Sequence, residues 1–296
     1  MKRLLASVLA IGIACGGAVA ALTAGPVAAP EDMEAVLEAD RAFEQAVGIA
    51  DKKIAKAAVG KFLDAEFTWT DAAGKTSARA QVLHSFDAGK GPEFAADGES
   101  GRVREYIYGQ VAVVQKDAGK VHILRVWVKR PAGWRALVYQ EVKSLDAPPT
   151  SAPGAGNACE NPCKSVPYHP KNEAEKAVIA SYMGLESAAV AHNASDFSAH
   201  VADEFAAASS NSDVLLDKPE RMAGLEREKM FGVSPTPLIS ARMFDFEDAV
   251  VMLSLHQPDR GKPLHITRVW IARDGKWVET LSYQTAIQDA PAATSK

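Results

Sequence analysis

Two stretches of the chain, HILRVWVKR at residues 122–130 and HITRVWIAR at residues 265–273, decide the fold. Six of their nine positions are identical, and a constant spacing of 143 residues separates each matched pair. Trp134 and Trp277 share that spacing. A repeat of this length is a whole domain rather than one unit of a solenoid. The sequence therefore predicts a tandem duplication.

Beyond these stretches the two copies align with one adjustment. After one inserted residue in the second copy, Tyr139-Gln140 aligns with Tyr283-Gln284. Proline, glycine and small residues dominate residues 146–157, which is typical of a semi-extended linker. We therefore expect a first domain at 31–146, a linker with Cys159 and Cys163 at 147–171, a second domain at 172–289, and a disordered tail at 290–296.

Each copy is predicted to begin with helices and to end in a sheet. The expected elements in the first copy are a helix at 31–47, a second helix, a short strand at 67–70, a third helix from Thr76 or Ser77, and strands at about 102–108, 111–116, 120–130 and 134–143. The second helix is expected to turn Ile54, Ala58 and Phe62 inward. The fold class is α+β, with helices covering one face of a curved antiparallel sheet.

Four short motifs carry a family resemblance. They are ADRAF at 39–43, FTWTD at 67–71, WVKRPAGWR at 127–135 and WIARDGKW at 270–277. Together they resemble the nuclear transport factor 2-like superfamily, in its SnoaL-like, ketosteroid-isomerase-related branch. The resemblance implies two cone-shaped domains with a pocket between sheet and helices. That superfamily holds isomerases, dehydratases and cyclases beside non-catalytic binding modules, so the resemblance is specific for fold and weak for function.

The strand at 120–130 carries apolar residues on both faces. Leu124, Val126 and Val128 lie on one face, and Ile123 and Trp127 lie on the other. Helices cover only one face in this fold, so the second face needs a partner. We expect an intramolecular pseudo-dimer with the two sheets face to face, and a monomer in solution. The alternative is that this face closes over a pocket while the domains sit apart.

The first twenty residues have the pattern of a secretory signal peptide. A positive start at 1–3 precedes an apolar stretch at 4–14 that is too short to span a bilayer, and Ala18-Val19-Ala20 fits a cleavage site. The protein is therefore expected to be exported, periplasmic or secreted, without a transmembrane segment. Cys15 is a possible lipid-attachment site, but Gly12 stands where such sites usually carry leucine.

Cys159 and Cys163 are the remaining cysteines, and three interpretations apply to them. In an oxidising compartment an even pair indicates a disulfide, which we favour. A metal site with His169 would have too few ligands for a closed zinc site. A redox pair would normally have two intervening residues rather than three.

Charge and motifs exclude several classes of function. The chain has 33 basic and 37 acidic side chains and a net charge of −4, so no basic excess favours nucleic-acid binding. No phosphate loop, dinucleotide fingerprint or serine elbow occurs, and the histidines lack ligand spacing. We therefore expect neither a cofactor nor a metal.

Asp40 is the strongest candidate for acid–base chemistry. It lies on the apolar stripe of the first helix, where burial would raise its pKa. The competing interpretation is a buried carboxylate that pairs with Arg125 and stabilises the fold. The second copy has Tyr182 at the matching position, so its pocket cannot run the same carboxylate chemistry.

Other side chains are expected to line the pockets. They are Trp69, Asp71, Arg79, Tyr106, Arg125, Trp127 and Tyr139 in the first domain, and Tyr182, Arg221, Arg268, Trp270 and Tyr283 in the second. Asp71 also fits a plain turn. Arg125 and Arg268, each two residues before a tryptophan, either bind a carboxylate or enolate ligand or form a structural stacked pair.

Three functional hypotheses remain. The first is non-catalytic binding of a small, partly apolar or anionic ligand, or an association module. The second is an enzyme of the isomerase, dehydratase or cyclase type, with Asp40 as the acid–base residue and Tyr106, Arg125 or Tyr139 stabilising an oxyanion. The third is a purely structural partner protein of the cell envelope.

The leader gives the first testable prediction. Export is expected to cleave the chain after Ala20, so that Ala21 becomes the mature amino terminus. Intact mass spectrometry of exported material measures this directly. A mature terminus at a diacylglycerol-modified Cys15 would show instead that the protein is a lipoprotein.

Overall fold

Two six-stranded sheets, each accompanied by helices, make up the computed structural model, which describes residues 30–91, 103–146, 159–227, 236–258 and 261–290. Domain 1 contains α1 (Pro30–Val47), α2 (Lys52–Val59), β1 (Leu63–Thr70), β2 (Thr76–Ala78), α3 (Arg79–Asp87), β3 (Val103–Tyr108), β4 (Val111–Ala118), β5 (Val121–Arg130) and β6 (Gly133–Lys143). Domain 2 repeats this order with α4 (Glu173–Val190), α5 (Ala194–Ala199), β7 (Val201–Ser209), β8 (Leu216–Asp217), α6 (Lys218–Arg227), β9 (Leu238–Asp245), β10 (Ala249–His256), β11 (Leu264–Arg273) and β12 (Lys276–Ala286).

Both sheets are mixed. The strand orders are β2-β1-β6-β5-β4-β3 and β8-β7-β12-β11-β10-β9. The pairs β1–β6 and β7–β12 are parallel, which differs from the wholly antiparallel sheet expected from the sequence. The last strand of each meander returns beside the first strand, and both run in the same direction. Residues 76–78 form the short edge strand β2 instead of beginning the third helix.

A side-chain cap marks the start of the second helix. The Asp51 side chain accepts hydrogen bonds from the backbone amides of Lys53 and Ile54, so the helix begins at Lys52. From that start, Ala55 and Val59 face the core. Ile54 is 58% exposed, so the expectation that it faces inward was wrong.

The faces of the two sheets that the helices leave uncovered pack against each other. One hydrophobic core contains Leu124, Val126 and Val128 of β5 together with Val269 and Ile271 of β11. The opposite faces of the same strands carry Trp127 and Trp270 into separate cores under the helices. This packing agrees with the apolar pattern on both faces of these strands, because each sheet provides the cover that the other needs.

A polar bridge also joins the domains. The Gln140 amide donates to the Tyr283 carbonyl at 3.0 Å and to Thr285 Oγ1 at 2.8 Å, and its oxygen accepts from Thr267 Oγ1. Thr285 Oγ1 in turn donates to the Glu141 carbonyl at 2.7 Å. A buried amide must find partners for both of its ends, and here they come from the opposite domain.

Cys159 and Cys163 form a disulfide, as expected. The loop that they close lies against domain 2. Within it, Asn161 Nδ2 donates to the Leu238 carbonyl at 2.9 Å, and Asn161 Oδ1 accepts from the Leu238 amide at 3.0 Å. Ser187 of α4 donates to the Cys163 carbonyl. The loop is therefore fixed to one edge of the second sheet.

Several expectations concern residues beyond the described part of the chain. The predicted signal peptide with Cys15, the linker at 147–158 and the tail at 291–296 lie outside the described residues. Within the described ranges, none of the helices combines the length and apolarity needed to cross a membrane.

The contact between Gly74 and domain 2 gives the second prediction. Gly74 has a φ of 81°, and a Cβ there would lie 2.6 Å from the Ala286 carbonyl oxygen. Gly275 also has a positive φ, but a Cβ there would meet nothing within 4 Å. We expect Gly275→Ala to cost about 1–2 kcal/mol of unfolding free energy from backbone strain. Gly74→Ala should cost about 1–3 kcal/mol more, because the domains must shift apart.

Urea denaturation of both variants measures this difference. Equal losses of unfolding free energy would contradict the close approach of the turn to β12.

Candidate functional site

A buried arginine organises the interior of domain 1. Arg125 is 3% exposed, with its Nε 2.8 Å from Asp40 Oδ1 and its Nη2 2.6 Å from Glu44 Oε1. Lys116 Nζ contacts Glu44 and lies 4.0 Å from Asp40 Oδ2. Trp127 Nε1 donates to Asp40 Oδ1 at 3.0 Å. Two carboxylates thus meet two cations, and the pair between Asp40 and Arg125 that the sequence suggested is confirmed.

The Asp40 carboxylate is held on several sides. Burial raises the pKa of Asp40 above its ordinary value, while attraction to Arg125 and Lys116 opposes that rise. Asp40 lines none of the cavities described below. Around it, Trp69 and Tyr139 meet edge to face with ring centroids 6.5 Å apart, so aromatic rings occupy this interior.

Strand pairing fixes which residues of the two domains correspond. Tyr139 pairs with Arg125, whereas Ser282 pairs with Arg268. Tyr139 therefore corresponds to Ser282, and Gln140 corresponds to Tyr283. The Tyr-Gln match suggested that the second copy has one inserted residue, and this interpretation was wrong. Both domains have the register shift at the same place, just before Trp127 and Trp270, so their last strands align without an insertion.

Domain 2 contains a cavity where domain 1 has aromatic rings. Pairing with the last strand places Ala207 at the position of Trp69 and Ser282 at that of Tyr139. Both residues line a cavity of about 230 Å³. Its apolar wall consists of Leu185, Ala189, Phe197, Phe205, Ala207, Val214, Leu216 and Ile266, and its polar wall of Glu186, Ser209, Ser212, Arg221, Thr236, Arg268, Glu279, Ser282 and Gln284.

Arg268 is the counterpart of Arg125 and is also buried, at 3% exposure. Its Nη2 lies 3.1 Å from Glu186 Oε1 and its Nε 3.0 Å from Glu279 Oε1. Its Nη1 lies 3.3 Å from His256 Nε2, and its Cζ stacks 4.9 Å from the centroid of the Tyr182 ring. Burial and the nearby Arg268 lower the pKa of His256 to about 3, so this ring is neutral.

The second carboxyl group of this network comes from a different secondary-structure element in each domain. In domain 1 both carboxylates come from α1, but Tyr182 stands at the place of Asp40. Glu279 of β12, opposite Trp270, supplies the missing group; its counterpart opposite Trp127 is Ala136. Burial raises the pKa of Glu279 to about 8, although attraction to Arg268 opposes the shift. Burial also raises the pKa of Glu186.

The structure separates the residues predicted to line the pockets. Arg221 and Arg268 line the cavity, and Tyr182 and Trp270 pack beside Arg268. Arg125, Trp127, Trp69 and Tyr139 lie in the interior of domain 1.

The remaining predicted residues lie elsewhere. Asp71 caps its own turn by accepting from the Ala73 and Lys75 amides. Arg79 donates to the Gly60 carbonyl at a surface recess. Tyr283 belongs to the core between the sheets, and Tyr106 stacks on Tyr108 of the same strand face. These last two expectations were wrong because alternation along the strands turns them away from the helices.

The sequence prediction missed two carboxylates of the site. Glu186 carried a usable signal, because its spacing from Glu44 equals that of Tyr182 from Asp40. Glu279 carried none, because its counterpart is an alanine.

A second cavity, of about 380 Å³, lies in the seam between the domains. Hydroxyl and amide side chains such as Thr70, Thr267 and Gln140 line it, and many of them bond one another. Arg242 at its edge pairs with Glu66 across the seam at 2.7 Å. Tyr283 is the residue of domain 2 that corresponds to Gln140, and its ring lies in the core between the sheets.

Solved structures of other proteins are similar to parts of the chain. A protein of unknown function with a cystatin-like fold from Nostoc punctiforme is 14% identical, with 40% of this chain and 96% of that chain covered at a TM-score of 0.34. A nuclear transport factor 2-like protein from Pseudomonas putida is 16% identical, with 42% and 96% covered at 0.35. One from Cytophaga hutchinsonii is 12% identical, with 37% and 96% covered at 0.30.

The chain carries two tandem α+β domains, each with a six-stranded mixed sheet and its helices. Each of these structures covers about 40% of the chain. At these identities the likeness concerns the fold alone. No protein-family model and no curated protein sequence matches the chain.

Glu279 of domain 2 gives the third prediction. Its ordinary pKa is 4.5, and the folded protein raises it to about 8. Between these values the folded state holds a proton that the unfolded chain has lost, so this group's contribution to stability falls as pH rises. We expect Glu279→Gln to reduce that pH slope by up to about 1.4 kcal/mol per pH unit.

Denaturation at pH 5, 6, 7 and 8 measures the slope. Glu38→Gln, at an exposed position of α1, is the control and should retain the slope of the natural protein. An unchanged slope in Glu279→Gln would contradict the raised pKa.

Proposed function

We propose that the protein is an exported, non-catalytic binding protein whose domain 2 takes up a small, partly apolar ligand. Domain 1 acts as its scaffold. The observation that carries this proposal is the cavity of about 230 Å³ at the position where domain 1 holds the Trp69 and Tyr139 rings. An interior that has lost two rings without collapsing is suited to receive a ligand.

The chemistry of the wall supports a ligand with two unlike ends. Phe197, Phe205 and Leu185 contribute an apolar surface, while Arg221 and Arg268 stand with two carboxyl groups on the polar side. Small-molecule sites combine a mainly apolar lining with a few polar groups that fix orientation.

Binding has more support than catalysis. The acid–base hypothesis relied on Asp40, and that carboxylate is engaged by Arg125 and Trp127 within the interior of domain 1. In domain 2, both Glu186 and Glu279 are engaged by the Arg268 guanidinium. Ion pairs of this kind perturb pKa values for structural reasons as readily as for catalysis.

Export and a monomeric state belong to the same proposal. The disulfide of Cys159 and Cys163 fits an oxidising compartment. The sheet faces that could pair between molecules already pack against each other within the chain. This internal pairing favours a monomer.

Filling the cavity tests the proposal and is the fourth prediction. Native mass spectrometry of the protein purified from its own host should show a retained small molecule. In Ala207→Trp/Ser282→Tyr, which restores the rings of domain 1, that added mass should be lost because the space is occupied.

Ala65→Trp, at an exposed alanine of β1, is the matched control and should keep the ligand. Retention of the same mass by the filled variant would place the ligand outside the cavity and contradict the proposal.

A further inference from the structure

Arg221 brings a positive charge to the cavity without forming an ion pair with any residue that the structure describes. It extends from α6, and its Cζ lies 5.4 Å from the centroid of the Phe197 ring, within the cavity wall. Pairing of β8 with β7 makes Val82 its counterpart in domain 1, where that side chain is buried among apolar residues. Domain 2 therefore has a guanidinium at the position where domain 1 has the apolar side chain of Val82.

Glu186 and Glu279 attract Arg221 across the cavity, but both make their direct contacts with Arg268 instead. Arg268 is engaged at 3.1 Å by Glu186 and at 3.0 Å by Glu279. Domain 1 balances its two carboxylates with Lys116 as well as Arg125, but the strand pairing puts the neutral Ser254 at the place of Lys116. Because burial raises the pKa of Glu279 to about 8, this carboxyl is mainly protonated at neutral pH. The cavity then keeps a net positive charge at Arg221.

The surroundings of Arg221 favour an anion with an organic body. Phe197 and Phe205 form an apolar wall next to the guanidinium, and Ser209, Ser212 and Ser282 offer hydroxyl groups. A guanidinium binds planar carboxylates through two parallel hydrogen bonds, and it does so most strongly where water is partly excluded.

We propose that the ligand of domain 2 is a small organic carboxylate with a short apolar or aromatic body, whose carboxylate group pairs with Arg221. This inference rests on the proposed function, since it names the class of ligand for the same cavity. The carboxylate would supply the ion-pair partner that Arg221 lacks among the described residues, and the body would lie against Phe197 and Phe205.

The size of the cavity limits the body of that ligand. A cavity of about 150 Å³ accommodates a benzene-sized molecule. By proportion, the cavity of about 230 Å³ holds roughly nine non-hydrogen atoms, which is one ring and one carboxylate. Benzoate is therefore a suitable probe, and benzamide is its neutral isostere.

The experiment is a titration of the isotope-labelled full chain with sodium benzoate and with benzamide, followed by amide resonances in two-dimensional NMR. We expect benzoate to shift resonances of the cavity residues and to bind about tenfold or more tightly than benzamide. Arg221→Val installs the residue of domain 1 and should remove that preference. Arg221→Gln, which keeps a polar side chain of similar length, should do the same. Arg221→Lys should retain part of it.

Arg227→Val is the matched control, because Arg227 is an exposed arginine at the end of the same helix. It should bind benzoate as the natural protein does. The spectrum itself reports whether each variant is folded.

The outcomes separate the two levels of the proposal. Equal affinities for benzoate and benzamide would overturn the inference of a carboxylate while leaving a binding cavity. A preference for benzoate that survives in both Arg221→Val and Arg221→Gln would overturn the assignment to Arg221. If neither probe shifts cavity resonances, both the ligand class and the proposed function fail.

Discussion

A guanidinium buried under the helices is the constraint on which both domains depend. Arg125 and Arg268 project from matched strand positions into the domain interiors, where each is buried and an unpaired charge would be costly. Each must therefore meet carboxyl groups, and the side chains around it must leave room for them. Domain 1 takes both carboxylates from α1, whereas domain 2 takes Glu186 from α4 and Glu279 from β12.

The different origin of the carboxyl groups goes together with a second difference, since the interior of domain 1 is filled and that of domain 2 contains a cavity. With Glu279 reaching Arg268 from the sheet, the helix position of Asp40 is free for Tyr182, whose ring centroid lies 4.9 Å from the guanidinium carbon. Ala207 and Ser282 then leave space that Trp69 and Tyr139 occupy in domain 1. Cavities reduce stability. The core shared between the sheets couples domain 2 to the better-filled domain 1, so a duplicated chain can tolerate that loss in one half.

The sequence was sufficient for the architecture because the architecture follows from simple periodicity. The strands at 122–130 and 265–273 carry apolar residues on both faces, so each face had to pack against another element. One face packs against the helices, and the other packs against the sheet of the other domain. The helix-facing set with Arg125 and Trp127 was also correct. Ile54 was misplaced because the buried stripe of α2 runs through Ala55 and Val59 instead.

The site was harder to predict because it depends on the strand register and on small side chains that leave a cavity. Matching letters aligned Tyr139 with Tyr283, but hydrogen-bonded pairing aligns it with Ser282. A cavity formed by alanine and serine leaves no motif in a sequence. The role of Glu279 is recognisable only from its strand pairing with Trp270, because the corresponding residue of the first copy is an alanine.

The docked disulfide loop has a consequence for the outer edge of domain 2. β9 is the last strand of its sheet, and such a strand offers unpaired backbone groups to other chains. Asn161 occupies both the amide and the carbonyl of Leu238, right beside Ile239, which is 50% exposed. A side-chain amide thus takes the place of a neighbouring strand at the point where an apolar residue would make strand addition most favourable. The covalent loop that holds Asn161 there therefore blocks the addition of another strand at this point of the edge.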